Sequence, residues 1–298
     1  MVVVGGSGFV GSHLADALLD AGHEVRVFDR APSPHLRPGQ EMFLGDIQDP
    51  ESVREGVLGR DVVCNFAGIA DLDDARTKAV ETLRQNVLGT VNLLEASREA
   101  GVKRFMHAST IYVYSNRGGF YRCSKQAAEL YVEEYQKHYG LDFTVVRFGT
   151  LYGSRADGRN SIHRYLQQAL SEKRILCAGT GEELREYVSV QDAARLCVDA
   201  LSEEFRNEHV IITGPYPMRF RELLEMIREI LGGDIELVFT GEESSAHYRF
   251  TPYTFEPKIG HKLTTNKFLD MGQGLLECLR EIHARQEAPP QETKKADG

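Results

Sequence analysis

Three residues in the middle of the chain, Thr110, Tyr121 and Lys125, have the types and spacing of a proton-relay set. Tyr121 and Lys125 lie four residues apart in Tyr121-Arg122-Cys123-Ser124-Lys125, so they share one face of a helix opening there. An ammonium beside a phenol stabilises phenolate and draws the phenol from about 10 toward neutrality, where it serves as a general base or acid. Thr110 follows the apolar run 102–108, and its hydroxyl can share the proton and hold a substrate oxygen. Such a set suits hydride transfer between a secondary alcohol and a nicotinamide ring. Alone, a Y-x-x-x-K pair is more often the decoration of a surface helix, so the reading depends on the elements around it.

Those elements begin at the first residues. Val2-Val3-Val4 reads as the end of a buried strand, and Gly5, Gly8 and Gly11 follow at a G-x-x-G-x-x-G spacing before a helix predicted over 11–21. Glycine permits a tight positive-φ turn and close backbone approach to a ligand. The N–H groups and partial positive charge of a helix N-terminus suit a pyrophosphate. A second strand, 24–28, ends at Asp29, which lies 21 residues after Gly8. That is close to the spacing of the acid that binds the adenosine ribose in βαβ dinucleotide folds. A carboxylate there favours the 2′-hydroxyl of NAD, whereas the adjacent Arg30 suits a 2′-phosphate and leaves NADP open. A glycine turn alone is also a plain strand–helix connection; strand, turn, helix, strand and acid in that order point to a dinucleotide.

With these residues in place, the chain resembles an extended short-chain dehydrogenase/reductase of the NAD-dependent epimerase/dehydratase family over nearly its whole length. Gly45-Asp46-Ile47 resembles the segment that meets the adenine, and Asn65-Phe66-Ala67-Gly68 the loop after the fourth strand that passes the cofactor. Asn86-Val87-Leu88-Gly89-Thr90-Val91-Asn92-Leu93-Leu94 is similar to the family's "N-V-x-G-T-x-N-L-L" helix, and Ser109-Thr110-Ile111-Tyr112-Val113-Tyr114 to "S-S-x-x-V-Y". Arg147-Phe148-Gly149-Thr150-Leu151-Tyr152-Gly153 resembles "R-x-x-N-V-Y-G", and the segment from Gly179 to Asp192 resembles "G-x-G-x-x-x-R-D-F-V-x-V-x-D". The resemblance implies Thr110, Tyr121 and Lys125 as catalytic residues. It implies a cofactor set of Gly5, Gly8, Phe9, Val10, Gly11, Asp29, Arg30, Asp46, Ile47, Ala67, Gly68, Asn86, Tyr121, Lys125 and Phe148. The implied substrate set is Thr110, Tyr112, Thr150, Arg185 and Arg249, with the two arginines holding a diphosphate, which a guanidinium fork suits. Asn86 is equally readable as a helix-packing amide, Arg185 as half of a structural ion pair, and Arg249 as a solvated surface arginine.

Three departures from the family pattern bear on the reaction. Tyr121 lies only eleven positions after Thr110, where sugar-nucleotide relatives carry a longer loop, which leaves the site more open or lets Tyr112 and Arg117 line it. Thr150 stands where the family has asparagine. Ile111 and Tyr112 stand where 4,6-dehydratases have Asp-Glu, and neither works as a carboxyl pair for water elimination. The resemblance thus implies an NAD-dependent epimerase acting on a nucleotide-diphosphate sugar through a transient ketone, at C4. The alternative is an NAD(P)-dependent reductase or dehydrogenase of a ketosugar or other carbonyl compound. A non-catalytic NAD(P)-sensing protein is a third reading, disfavoured because a binding module needs no proton relay.

The whole chain accommodates this. Its 298 residues allow one large or two smaller domains with ample core. A formal net charge of −9 argues against nucleic acid or a membrane surface as partner. Five dispersed cysteines without a C-x-x-C pair fit reduced thiols in the cytoplasm, and ten histidines form no metal-ligand spacing. No signal peptide precedes the first strand, and a few upstream residues are expected to be missing. Further strands are predicted at 2–4, 41–44, 61–66, 102–108, 143–148 and 209–212, and helices at 50–57, 74–100, 122–139, 160–171, 191–204, 219–231 and 269–285. The alternation predicts a doubly wound parallel α/β sheet, with ligands at the carboxyl ends of the strands. The dinucleotide-binding Rossmann domain is expected over 1–150, continued by 186–215. A smaller C-terminal substrate lobe is expected over 151–185 and 216–285, with a disordered polar tail at 286–298. The long helices 74–100 and 122–139 resemble the pair through which this family forms homodimers.

Overall fold

The computed structural model describes residues 1–241, 261–264 and 267–287. Its first half runs β1 (Val2–Val4), α1 (Phe9–Asp20), β2 (Val25–Asp29), β3 (Gln40–Leu44), α2 (Pro50–Val57), β4 (Val62–Asn65), α3 (Leu72–Thr77), α4 (Ala79–Leu83), α5 (Gly89–Glu99), β5 (Arg104–Thr110) and α6 (Gly119–Tyr139). There follow β6 (Phe143–Phe148), β7 (Thr150–Tyr152), α7 (Ser161–Glu172), β8 (Arg174–Cys177), β9 (Leu184–Ser189), α8 (Val190–Asp199) and β10 (Glu208–Ile212). The last elements are β11 (Pro217–Arg219), α9 (Phe220–Ile230), β12 (Glu236–Phe239), β13 (His261–Leu263) and α10 (Met271–Glu287).

Eight strands form one sheet in the order β13-β10-β6-β5-β4-β1-β2-β3, and every neighbouring pair is parallel. Parallel strands need crossovers, and the crossover helices cover both faces, so the strands read as unbroken apolar runs. The period of two is visible within β1. Val3 packs with Leu14, Leu18, Met106, Val146 and Leu196 on one face, whereas Val2 and Val4 pack with Phe28, Val53, Leu94, Phe105 and Val145 on the other. This is the doubly wound α/β arrangement that the alternation predicts. A third core, apart from both faces, gathers Ile162 and Leu166 of α7, Ile175 of β8, Leu223 and Ile227 of α9, and Leu275 and Leu279 of α10. Beside it lie a three-stranded sheet, β11-β9-β7, and the pair β12-β8.

The main-sheet strands through β10 lie within two residues of the expected ones. Five strands outside the main sheet, and β13 at its edge, were not expected: each has three to six residues, too few to show a period against their neighbours. The helix expected over 74–100 is broken. Lys78 leaves the helical region (φ −120°, ψ 51°) between α3 and α4, and a π-helical turn, Arg84–Leu88, separates α4 from α5. The expected 191–204 ends at Asp199, followed by a 3-10 turn, Glu203–Phe205. Among the described residues no helix is long and apolar enough to cross a membrane.

The glycine turn follows from close packing at the middle of the sheet. Gly5 has φ +78°, and a Cβ on it would lie 2.6 Å from the Ala67 nitrogen, in the loop after β4. A Cβ on Gly11 would lie 2.2 Å from the Gly5 carbonyl oxygen, so α1 starts hard against the turn. Gly8 is the N-cap of α1 and supplies no side-chain cap, which leaves the first-turn N–H groups to a ligand. Replacing Gly11 by alanine is therefore expected to destabilise the fold by about 1–3 kcal/mol through overpacking. Gly158→Ala, where no atom lies within 4 Å of the added Cβ, should leave stability unchanged; thermal melts of the two variants check this contrast.

Candidate active site

The carboxyl ends of β1, β4, β5 and β6 open into a cleft of about 920 Å³, closed on the far side by residues of β7, β9 and the start of α7. Gly5, Gly8, Phe9, Val10, Gly11, Asp29, Arg30, Ile47, Ala67, Gly68, Tyr121, Lys125 and Phe148 all line it. The Asp29 carboxylate accepts from the Ser7 N–H (3.0 Å) and the Ala31 N–H (3.4 Å), so it fixes the glycine turn as well as facing the cleft. Arg30 is exposed beside it.

Two residues of the expected cofactor set do not reach the cleft. Asp46 spends its carboxylate on the Gln48 N–H, 2.9 Å away, and its neighbours Gly45 and Ile47 form the wall instead. Asn86 is buried in the π-helical turn. Its Oδ1 accepts from the Ile69 N–H (2.7 Å), and its Nδ2 donates to the Ile69 carbonyl (2.9 Å) and to Ser124 Oγ (2.9 Å). Its amide thereby ties the loop after β4 to the helix that carries Tyr121 and Lys125. Close by, Gly68 has φ +146°, and a Cβ there would lie 2.5 Å from Asn86 Oδ1.

Thr110, Tyr121 and Lys125 meet on one wall of the cleft. Thr110 ends β5, accepts from the Tyr112 N–H (3.3 Å) and is hydrogen-bonded to Tyr121. Gly118 (φ +90°) turns the chain into α6, which starts earlier than expected, at Gly119, and sets Tyr121 and Lys125 one turn apart on its buried face. The Lys125 ammonium donates to the Ala108 carbonyl at 2.7 Å. One expectation changes here. Burial pushes the Tyr121 phenol up to about 12, only partly opposed by the Thr110 hydrogen bond, so in the free protein the phenol is not drawn toward neutrality. Burial also pushes Lys125 down to about 8, with the Glu129 carboxylate acting in the opposite sense. Taking either ionised group out of water costs more than the local partners return.

On the substrate side, Tyr112, Thr150 and Arg185 line the cleft. The Tyr112 ring meets Tyr121 edge-on at 6.5 Å and abuts Gly118, where a Cβ would come within 2.9 Å of it. Arg185 donates to the Leu184 carbonyl at 2.8 Å. Arg249 lies outside the described residues. Asn160, Arg164, Tyr165 and Tyr187 also line the cleft and were not anticipated. Asn160 carried a signal, since it caps α7 by accepting from the His163 N–H at 3.1 Å. Also unanticipated is the pair beneath the wall. Arg147, in the apolar strand Phe143–Phe148, donates from Nη2 to Glu129 Oε2 at 2.6 Å, both residues being buried. A charge inside a strand covered on both faces requires such a partner.

Residues 1–213 match the model of the NAD dependent epimerase/dehydratase family. The chain belongs to that family. It is 28% identical over 299 residues to UDP-N-acetyl-alpha-D-glucosaminuronate decarboxylase of Bacillus cytotoxicus, covering 91% of each chain. A shorter stretch of 116 residues, 37% of this chain and 31% of the relative, is 44% identical to 3-beta-hydroxysteroid dehydrogenase of Mycolicibacterium neoaurum. Its fold is that of the UDP-glucose 4-epimerase of Thermotoga maritima solved with UDP-glucose, with TM-score 0.83, 24% identity and coverage of 96% of this chain and 99% of that one. The family is one of NAD-dependent sugar-nucleotide enzymes whose members catalyse several reactions.

The buried lysine yields a test that needs no substrate. With Lys125 lowered to about 8 from 10.5, the unfolded chain binds more protons between those values, and the native protein gains stability as pH rises through them. Below pH 8 the burial penalty is felt in full. The melting temperature of Lys125→Met relative to the parent is thus expected to be most favourable near pH 7 and to decline as pH rises from 8 toward 10.

Proposed function

We propose that the protein is an NAD-dependent epimerase of a nucleotide-diphosphate sugar, working through a transient ketone at C4. The observation that carries this reading is the convergence of Thr110, Tyr121 and Lys125 on the wall between the glycine turn and the side of the cleft lined by Arg185. The turn Gly5–Gly11, the uncapped start of α1 and the Asp29 carboxylate fit a dinucleotide, with Ile47, Ala67, Gly68 and Phe148 along its path. Bound there, NAD would supply a hydride acceptor that can return the hydride to the other face of the ketone. As the phenolate, which the positive charges of Lys125 and of bound NAD would favour, Tyr121 would take the proton of the sugar hydroxyl and later give it back, Thr110 sharing the hydrogen bond. The Lys125 ammonium, charged below about pH 8, holds negative charge on the phenol oxygen in the low-dielectric wall. Arg185, and Arg249 with it, would hold the diphosphate. Arg30 leaves NADP as the cofactor to be compared with NAD. Ile111 is buried and Tyr112 carries no carboxyl, which disfavours water elimination.

The stretch similar to a 3-beta-hydroxysteroid dehydrogenase favours a second reading, a dehydrogenase that releases reduced cofactor. A panel of UDP-, GDP- and dTDP-sugars with NAD separates the two: epimerisation gives a new sugar with no net gain of NADH absorbance. Tyr121→Phe should lower turnover by about 10²–10⁴-fold while cofactor affinity is kept. Retained turnover in Tyr121→Phe would sink the proton-transfer role of Tyr121, no binding of NAD or NADP would sink both enzyme readings, and cofactor binding without turnover of any substrate would leave a sensing protein.

The protein is further proposed to form a homodimer through α4 and α6. These pack side by side and expose Val80, Leu83, Phe120, Leu130 and Tyr131. Sedimentation at micromolar concentration is expected to give a dimer, and Leu130→Glu to shift it toward monomer.

A further inference from the structure

Tyr121, Lys125 and Glu129 follow one another at intervals of one turn along the buried face of α6. Glu129 is 5% exposed, and its hydrogen bonds with Ser109 and Arg147 lead back to the reacting wall. Arg147 grips it from β6, Nε to Oε1 at 3.0 Å and Nη2 to Oε2 at 2.6 Å. Ser109 Oγ donates to Oε1 at 2.5 Å from β5. Ser109 is flanked by Ala108, whose carbonyl accepts from Lys125, and by Thr110, the partner of Tyr121. The third guanidinium arm, Arg147 Nη1, donates to Tyr114 Oη at 2.6 Å, and the guanidinium lies 4.8 Å over that ring, at the end of the turn that follows Thr110. One carboxylate thus joins α6, β5, β6 and the turn between the catalytic hydroxyl and the catalytic phenol.

We propose that Glu129 is a positioning residue for the proton-transfer pair: its carboxylate, locked by Arg147 and Ser109, fixes through Ser109 the neighbouring Ala108 carbonyl that holds the Lys125 ammonium, and keeps β5 and α6 at a fixed separation. The inference rests on the Tyr121–Lys125 reading above. A buried ion pair with no such role is replaceable by uncharged groups of similar size without loss of function. The neighbouring charges define what the carboxylate does. Lys125 is faced by His107 from β5, whose imidazole burial holds well below its ordinary range, and by Glu129 on its own helix. Glu129 is faced by Arg147, Ser109 and Tyr114, by Glu133 one turn on, and by His209 of β10, whose Nε2 is 4.0 Å from Oε2 and 3.1 Å from Glu133. Glu129 is the anion that opposes the effect of burial on Lys125.

Glu129→Gln keeps the shape and removes the charge. Two measurements decide the matter: the titration of Lys125 by NMR of isotope-labelled lysine in the protein with and without NAD, and the pH dependence of turnover with UDP-glucose as probe. The Lys125 titration is expected to move down by about one pH unit or more. The fall of kcat on the alkaline side should move with it, and kcat at pH 8 should drop about 10²-fold while KM and NAD affinity stay within about twofold. Glu129→Asp, which restores the charge, should recover much of both. An unchanged Lys125 titration in folded Glu129→Gln, with loss of melting temperature alone, overturns the proposal. If Glu129→Gln does not fold, Ser109→Ala removes a neutral donor and leaves every charge. The carboxylate then loses one of the two groups that lock it, and the Lys125 titration is expected to move down, by less than in Glu129→Gln; no movement overturns the proposal. Tyr121→Phe measured alongside keeps the two ideas apart. Retained turnover there defeats the catalytic reading, whereas lost turnover there with an unmoved Lys125 in the Glu129 variants defeats this inference alone.

Discussion

The whole site depends on how closely two strand ends approach at the centre of the sheet. β1 and β4 are neighbours in space, and the chain leaves them in opposite directions, β1 toward β2 and β4 toward β5. The backbone at the end of β1 comes so near the loop after β4 that only a hydrogen fits on Gly5, and the start of α1 comes so near the same turn that only a hydrogen fits on Gly11. These two contacts aim the bare helix N-terminus into the crevice that a parallel sheet leaves where its strand order reverses. Any side chain at either glycine would separate the layers and turn the helix dipole away from the place a pyrophosphate occupies.

Around that junction lies a layer of buried polar groups satisfied almost wholly by one another. Asn65 Nδ2 donates to Thr90 Oγ1 at 3.0 Å, Thr90 Oγ1 donates to the Asn86 carbonyl at 2.7 Å, and the Asn86 amide reaches both the loop after β4 and Ser124 on α6. The π-helical turn at Arg84–Leu88 breaks the helix where that amide must face two partners at once, as such turns often do near functional sites. Cofactor wall and catalytic helix are therefore not independent: a shift in one is passed through hydrogen bonds that are costly to leave unmade in the interior.

The catalytic wall stores cost in the same interior. Lys125 and Glu129 are ionisable groups in places an apolar residue would fill more stably, and Tyr121 is held as a neutral phenol by the dryness of its surroundings. The Arg147–Glu129 pair limits that cost, since two hydrogen bonds and opposite charges offset much of the desolvation. Stability is given up here for charges in a low-dielectric setting, where their fields are strongest.

The fold and the heart of the site were legible in the chain because their signals are local. Val2-Val3-Val4 before Gly5, Asp29 at the end of β2, and Tyr121 one turn from Lys125 are patterns that neighbouring residues complete by themselves. Asp46 and Asn86 sit in recognisable segments, and only the packed fold shows that their side chains also meet Gln48, Ile69 and Ser124. What the sequence could not disclose is whatever depends on distance across the fold. The 74–100 stretch looks like one helix until Asn86 is seen to need partners on two elements. The phenol looks acidified until its burial is counted, and nothing in the sequence marks Glu129 until Arg147 arrives from another strand. Sequence spacing sets which groups share a face; burial and the partners met there, which arise only when distant segments pack, decide their charge and their role.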